Sequence, residues 1–119
     1  MAQHNELGNK GEQIAIDYLI KKGYTILDKN WRYLKAEVDI IAQIENTLAV
    51  VEVKTRSSDY FGSPQDFVNP KKIQLLVTAI NEYVISKDLD LEVRFDIIAI
   101  LKMDTKEKIE HLKDAFLYF

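Results

Sequence analysis

Glu37-Val-Asp-Ile-Ile-Ala-Gln-Ile-Glu-Asn-Thr-Leu-Ala-Val-Val-Glu-Val-Lys54 is the stretch on which the fold turns. Two runs rich in β-branched residues, 37–44 and 47–54, are parted by Glu45–Asn46, a polar pair short enough for a tight hairpin. With those two residues as the loop, Ile44 faces Thr47. Continued in register, Asp39 falls across from Glu52 and Glu37 across from Lys54, and alternation puts all four side chains on one face. Two carboxylates opposed across a ladder repel each other. Flanked by Val38, Ile40, Ile41, Val50, Val51 and Val53, they are poorly solvated, so they must share a proton or hold a cation. Oxygen donors suit a hard divalent ion. Lys54 stands one pleat away, within reach of a water or phosphate oxygen on such an ion.

Before this hairpin, Leu7, Gly8, Gly11, Ile14, Ala15, Tyr18 and Leu19 recur at helical spacing and predict a helix over Glu6–Lys22, with Asn5 as its cap and Gly23 closing it. Glu12 falls on or beside that small, core-facing stripe, and Gly8 and Gly11 let another element come close. Tyr24–Arg32 reads as a strand interrupted near Asp28–Asn30. After the hairpin, residues 55–69 show no period and read as a long loop with Gly62 and Pro64, a length often tied to function. Asn69–Pro70 is a helix start, and an apolar stripe runs from Ile73 to Val84, as far as Ser86. Leu91–Leu101 becomes almost wholly apolar, as a central strand buried on both faces does. The tail from Lys106 reads as an edge strand and a turn of helix carrying Ala115, Phe116 and Phe119 to the core. The order α-β-β-β-α-β makes a mixed sheet flanked by helices, one α/β domain over residues 1–119.

The chain has 119 residues and no cysteine. That length suits one domain. The absence of cysteine excludes a disulfide framework, a thiolate zinc site and a cysteine nucleophile. No apolar run approaches the ~20 residues that span a bilayer, and the N-terminus lacks the pattern of a signal peptide. A cytoplasmic protein without a membrane partner is expected. The net charge of −3 is not that of a nonspecific nucleic-acid binder, but a bound cation changes the local sign.

Asp39 followed by Glu52-x-Lys54 resembles the active-site pattern of the PD-(D/E)xK nuclease superfamily. The blocks GNKGEQIAIDYLIKKGYTIL, AEVDIIA, VVEVKTR, FGSP and RFDIIAI, running from Gly8 to Ile100, resemble the YraN-like family of predicted endonucleases. Within the superfamily the chain is similar to archaeal Holliday-junction resolvases. Ala36 departs from the glycine usual before Glu-Val-Asp, a difference expected to alter a turn and not the ligands. The resemblance implies a restriction-endonuclease-like core and Mg²⁺- or Mn²⁺-dependent hydrolysis of phosphodiester bonds in structured or branched DNA. It implies metal ligation by Asp39, Glu52 and the main-chain carbonyl of Val53. Lys54 would act on the water or the phosphate, and Glu12 would join the catalytic set from the first helix.

Further candidates come from the residues themselves. Arg56, just beyond the site with Thr55, is a bidentate phosphate donor. Lys71 and Lys72 sit at a helix N-terminus, which favours anions, and Gln74 lies one turn further in. Tyr60 and Phe61 are candidates for base stacking. Arg94–Asp96 reads as an in-strand pair, and His4 and His111 carry no role. Two other readings stand beside the nuclease: a non-catalytic nucleic-acid-binding module of the same fold, and an interaction domain that forms a homodimer. A dimer would double a small basic footprint.

Overall fold

The computed structural model describes residues 3–57, 69–103 and 106–115. Helix α1 (Gln3–Lys21) is followed by strands β1 (Thr25–Tyr33), β2 (Ala36–Ile44) and β3 (Thr47–Ser57). Helix α2 (Pro70–Ser86) crosses to β4 (Glu92–Met103), and β5 (Lys106–Leu112) completes one five-stranded sheet in the order β1-β2-β3-β4-β5. The first three strands form an antiparallel meander, β3 and β4 run parallel, and β5 returns antiparallel to β4. A parallel pair needs a crossover, and α2 supplies it.

The two helices stop and start for local reasons. Gly23 adopts φ +98, and the N–H of Tyr24 donates to the carbonyl of Leu19 at 3.0 Å. This is the Schellman closure that a C′ glycine permits, and both residues enter the same core cluster. Asn69 caps α2, its Oδ1 accepting from the Lys72 N–H at 2.8 Å, with Pro70 in the first turn. Asn5 lies inside α1, which already runs from Gln3.

The sheet separates two apolar cores. On one face Ala15 and Leu19 of α1 pack on Ile40, Ala42, Ala49, Val51, Ile98 and Ile100. On the other, Leu76, Ile80 and Tyr83 of α2 pack on Val38, Ile41, Leu48, Val50 and Phe95. β3 and β4 feed both, which explains their near-continuous apolar sequence.

Strand boundaries differ from the sequence expectation. β1 is one strand through Asp28–Asn30, with a register shift between Ile26 and Asp28 and Asn30 at φ 51; a bulge absorbs the irregular residues without ending the pairing. β3 continues to Ser57, three residues beyond Lys54, because β4 pairs it as far as Ser57↔Lys102. The long-loop residues from 58 to 68, including Tyr60 and Phe61, and the expected helical turn through Phe116 and Phe119, lie outside the described residues. Among the described residues, no helix is long and apolar enough to cross a membrane.

A paired-carboxylate groove at the open end of the hairpin

The β2–β3 register is that of a hairpin closed by Glu45–Asn46, with Ile44↔Thr47 next to the turn. Its ladder pairs run as far as Ile40↔Val51 and stop. Asp39 and Glu52, and beyond them Glu37 and Lys54, are therefore not laddered opposites. Side-chain alternation also lapses here, since Val38 belongs to the α2-side core and Ile40 to the α1-side core. The left-handed Asn30 lies between the β1 residues that pair with Val38 and Ile40. The strands part at Asp39, and its carboxylate replaces the missing ladder bond: Oδ2 accepts the Val53 N–H at 2.8 Å. Within a strand the N–H and C=O of one residue point to the same side. The Val53 carbonyl thus faces the same parted edge as Asp39.

Glu52 is buried, 7% exposed. Two ammonium groups converge on its Oε2, Lys72 Nζ at 2.5 Å and Lys54 Nζ at 3.5 Å. Burial and then the charge of Glu52 push the Asp39 carboxyl up to about 7, despite the hydrogen bond from Val53. Burial lowers Lys54 from its ordinary value, against the pull of Glu52. Burial also opposes the charge on Lys72, but the hydrogen bond to Glu52 and the fields of Glu52 and Asp39 outweigh it and raise the pKa. Glu12 is raised by burial, against a hydrogen bond with Asn30, and it feels Glu37 and Glu52. This acid approaches from the α1 side of the sheet. The close fit of α1 comes from Gly11, where a Cβ would collide with the Thr55 hydroxyl. Thr55 thereby faces the helix.

A groove of about 390 Å³ opens beside the carboxylates, lined by Lys35, Glu37, Asp39, Glu52, Lys71 and Lys72 together with Ala36, Asn69, Leu75 and Leu76. Asp39, Glu52, Lys54, Lys71 and Lys72 are brought together. Glu12 stands at the edge of the set. Gln74 is exposed and outside the groove lining, and the Arg56 guanidinium donates to the Thr55 carbonyl at 2.8 Å. Lys35, in the β1–β2 turn, is a groove cation that sequence spacing did not reveal. Among the described residues, no three His, Cys, Asp or Glu side chains converge as a metal cage. The donors present are two carboxylates and a carbonyl, all oxygen. That fits a hard ion that keeps several waters, as Mg²⁺ does.

A second polar cluster lies on the α1 side. Asp96 is fully buried and accepts Arg94 Nε at 2.9 Å, an Arg94 terminal nitrogen at 2.8 Å, His111 Nε2 at 2.8 Å and the Asp114 N–H at 3.1 Å. Arg94 also donates to the Tyr24 hydroxyl, and Tyr18 Oη lies 3.1 Å from His111 Nδ1. Burial alone would raise Asp96; the hydrogen bonds from His111, Arg94 and Asp114 overcome it and lower the pKa. The in-strand pair is present, but it belongs to a network tying α1, β4 and β5. His111, given no role by its sequence neighbours, is one of its members.

Fold and groove define a mixed α/β protein, a five-stranded sheet between two helices, with a lysine-flanked pair of carboxylates, Glu52 buried and Asp39 half-buried, at the parted end of its hairpin. Residues 11–100 match the model of the uncharacterised protein family UPF0102, and the chain belongs to that family. It is 66% identical over 119 residues, all of both chains, to a UPF0102 protein of Flavobacterium psychrophilum, and 63% identical over the same span to one of Christiangramia forsetii. A UPF0102 protein of Phocaeicola vulgatus is 47% identical over 116 residues, 98% of this chain and 96% of its own.

Proposed function

We propose that the protein is a divalent-metal-dependent endonuclease of the restriction-endonuclease-like type, acting on structured or branched DNA. The observation that carries this reading is the Asp39–Glu52 pair at the parted strands, with Lys54 beside it and the Val53 carbonyl on the same edge. Asp39, Glu52 and the Val53 carbonyl would hold the ion. When bound, Mg²⁺ or Mn²⁺ supplies Lewis-acid polarisation of the phosphoryl oxygen and acidifies a coordinated water. Lys54 keeps a positive charge where negative charge gathers in the transition state, and partial burial makes that charge count for more than in water. Lys35 and Lys71 line the groove and position the phosphodiester backbone, while Leu75 and Leu76 give it an apolar wall. Glu12 adds negative potential from the opposite side of the sheet.

The decisive experiment is a cleavage panel of single strand, duplex, flap and four-way junction with Mg²⁺ or Mn²⁺, beside an Asp39→Ala control. Metal-dependent cleavage lost in the control supports the reading. Binding without cleavage under either metal leaves a non-catalytic binding module in its place.

A further inference from the structure

Lys72 is oddly placed for a residue whose only task is to bind phosphate. It stands in the first turn of α2, where the helix dipole disfavours a cation and where the turn itself holds no acidic residue. Its ammonium is turned onto Glu52 Oε2 at 2.5 Å, the same oxygen that Lys54 approaches at 3.5 Å. Two monovalent cations thus crowd a carboxylate that, on the nuclease reading above, must give lone pairs to a divalent ion. Like charges within a few ångströms repel strongly in a partly buried site, so an arriving metal and the two ammoniums on Oε2 compete for Glu52. The Lys72 side chain is 34% exposed and that of Lys54 18%. Lys72 also lines the groove beside Lys71, and its flexible four-carbon stem lets the ammonium swing.

We propose that Lys72 is a resident counter-cation that competes with the divalent metal for Glu52 and is drawn off by a phosphate in the groove. This rests on the nuclease reading and adds regulation to the same site. Without nucleic acid, Lys72 keeps the carboxylates compensated and metal affinity low. A phosphodiester in the groove offers the ammonium another partner, freeing Glu52. Metal and nucleic acid then bind with positive coupling, and the coupling is reciprocal: each raises the affinity of the other by the same factor. The site is loaded where a substrate lies.

The test is calorimetric titration of Mn²⁺ into the wild-type chain, Lys72→Met, Lys72→Arg and Asp39→Asn, without DNA. Circular dichroism checks that each variant is folded. Lys72→Met should bind Mn²⁺ about tenfold more tightly than wild type. Lys72→Arg should stay near wild type, and Asp39→Asn should lose the binding. A second measurement follows the affinity for a four-way junction by fluorescence anisotropy with and without Ca²⁺. The Ca²⁺-induced gain should be present in wild type and largely lost in Lys72→Met. Equal or weaker Mn²⁺ binding by Lys72→Met overturns the proposal and leaves the nuclease reading standing. Absence of Mn²⁺ binding in wild type and both Lys72 variants, together with no Ca²⁺-induced gain in junction affinity, overturns both.

Discussion

Two aspartates, Asp39 half-buried and Asp96 fully buried, respond to pH in opposite ways, and the difference lies in their partners. Asp39 has one N–H donor, a neighbouring carboxylate and a carboxyl at about 7, well above the ~3.9 of an unfolded aspartate. Between those values the folded state holds a proton that the unfolded chain has released. The metal-free protein therefore loses stability as pH rises from about 4 to 7. Asp39→Asn should reduce that slope, leaving the smaller share of the raised Glu12, and urea melts across the window will show it; a variant with the wild-type slope would refute the assignment. Asp96 is lowered by its donors, so its contribution is present above the unfolded pKa and is lost as pH falls through the folded one. Asp96→Asn leaves the half-buried Arg94 without its carboxylate and weakens the His111 and Asp114 bonds, and should cost about 1–3 kcal/mol at neutral pH. Lys54→Ala separates chemistry from affinity. It should nearly abolish cleavage in a gel assay and weaken junction binding only modestly, because its charge acts on the transition state while ground-state affinity sums many phosphate contacts.

Among the elements, the packing of α1 on β3 depends on one missing methyl. Gly11→Ala would ordinarily help a helix by up to ~1 kcal/mol, but here its Cβ meets the Thr55 hydroxyl. Overpacking of this kind costs about 1–3 kcal/mol, so the substitution should destabilise. Thr55→Ala removes the colliding oxygen. In a double-mutant cycle by chemical denaturation, the penalty of Gly11→Ala should shrink by about 1 kcal/mol or more in that background. Elements set by local pattern are legible in the sequence: the hairpin turn at Glu45–Asn46, the Asn69–Pro70 helix start, the Gly23 stop and the doubly apolar β4. The hairpin turn made the nearness of Asp39, Glu52 and Lys54 legible, but not their register: the ladder ends at Ile40↔Val51 and alternation lapses between Val38 and Ile40. The parting of β2 from β3 at Asp39 was not legible. It accompanies an irregularity in a third strand, at Asn30, which the sequence signals as an interruption of β1 without signalling its effect on β2. Nor was the reach of Lys72 to Glu52, which depends on how the crossover sets the start of α2 against β3. The Asp96 network joins residues up to 93 positions apart, from Tyr18 to His111. His111 sits in Lys-Glu-Lys-Ile-Glu-His-Leu, whose charges disguise the half of the strand that faces inward.

For the whole molecule, a chain of net charge −3 has no general attraction for a polyanion. On the proposed function, affinity for DNA comes from where the cations are gathered, and the groove gathers Lys35, Lys71 and Lys72 beside the carboxylates. Each phosphate contact releases condensed counterion, so the slope of log K against log salt counts the lysines in use. Lys35→Ala and Lys71→Ala should each flatten that slope by about one unit, in anisotropy titrations over a salt series. Arg56 turns its guanidinium to the Thr55 carbonyl, outside the groove, so Arg56→Ala should leave the slope near wild type. If Arg56→Ala flattens it while Lys35→Ala does not, the backbone runs along the edge of β3 beyond Lys54 instead of along the start of α2. The sequence reading put Arg56 in the binding set through its nearness in the chain to Glu52-Val-Lys54. Lys35 lines the groove because the β1–β2 turn, distant in sequence from α2, forms the facing wall, and on the proposed function it joins Lys71 as a phosphate contact.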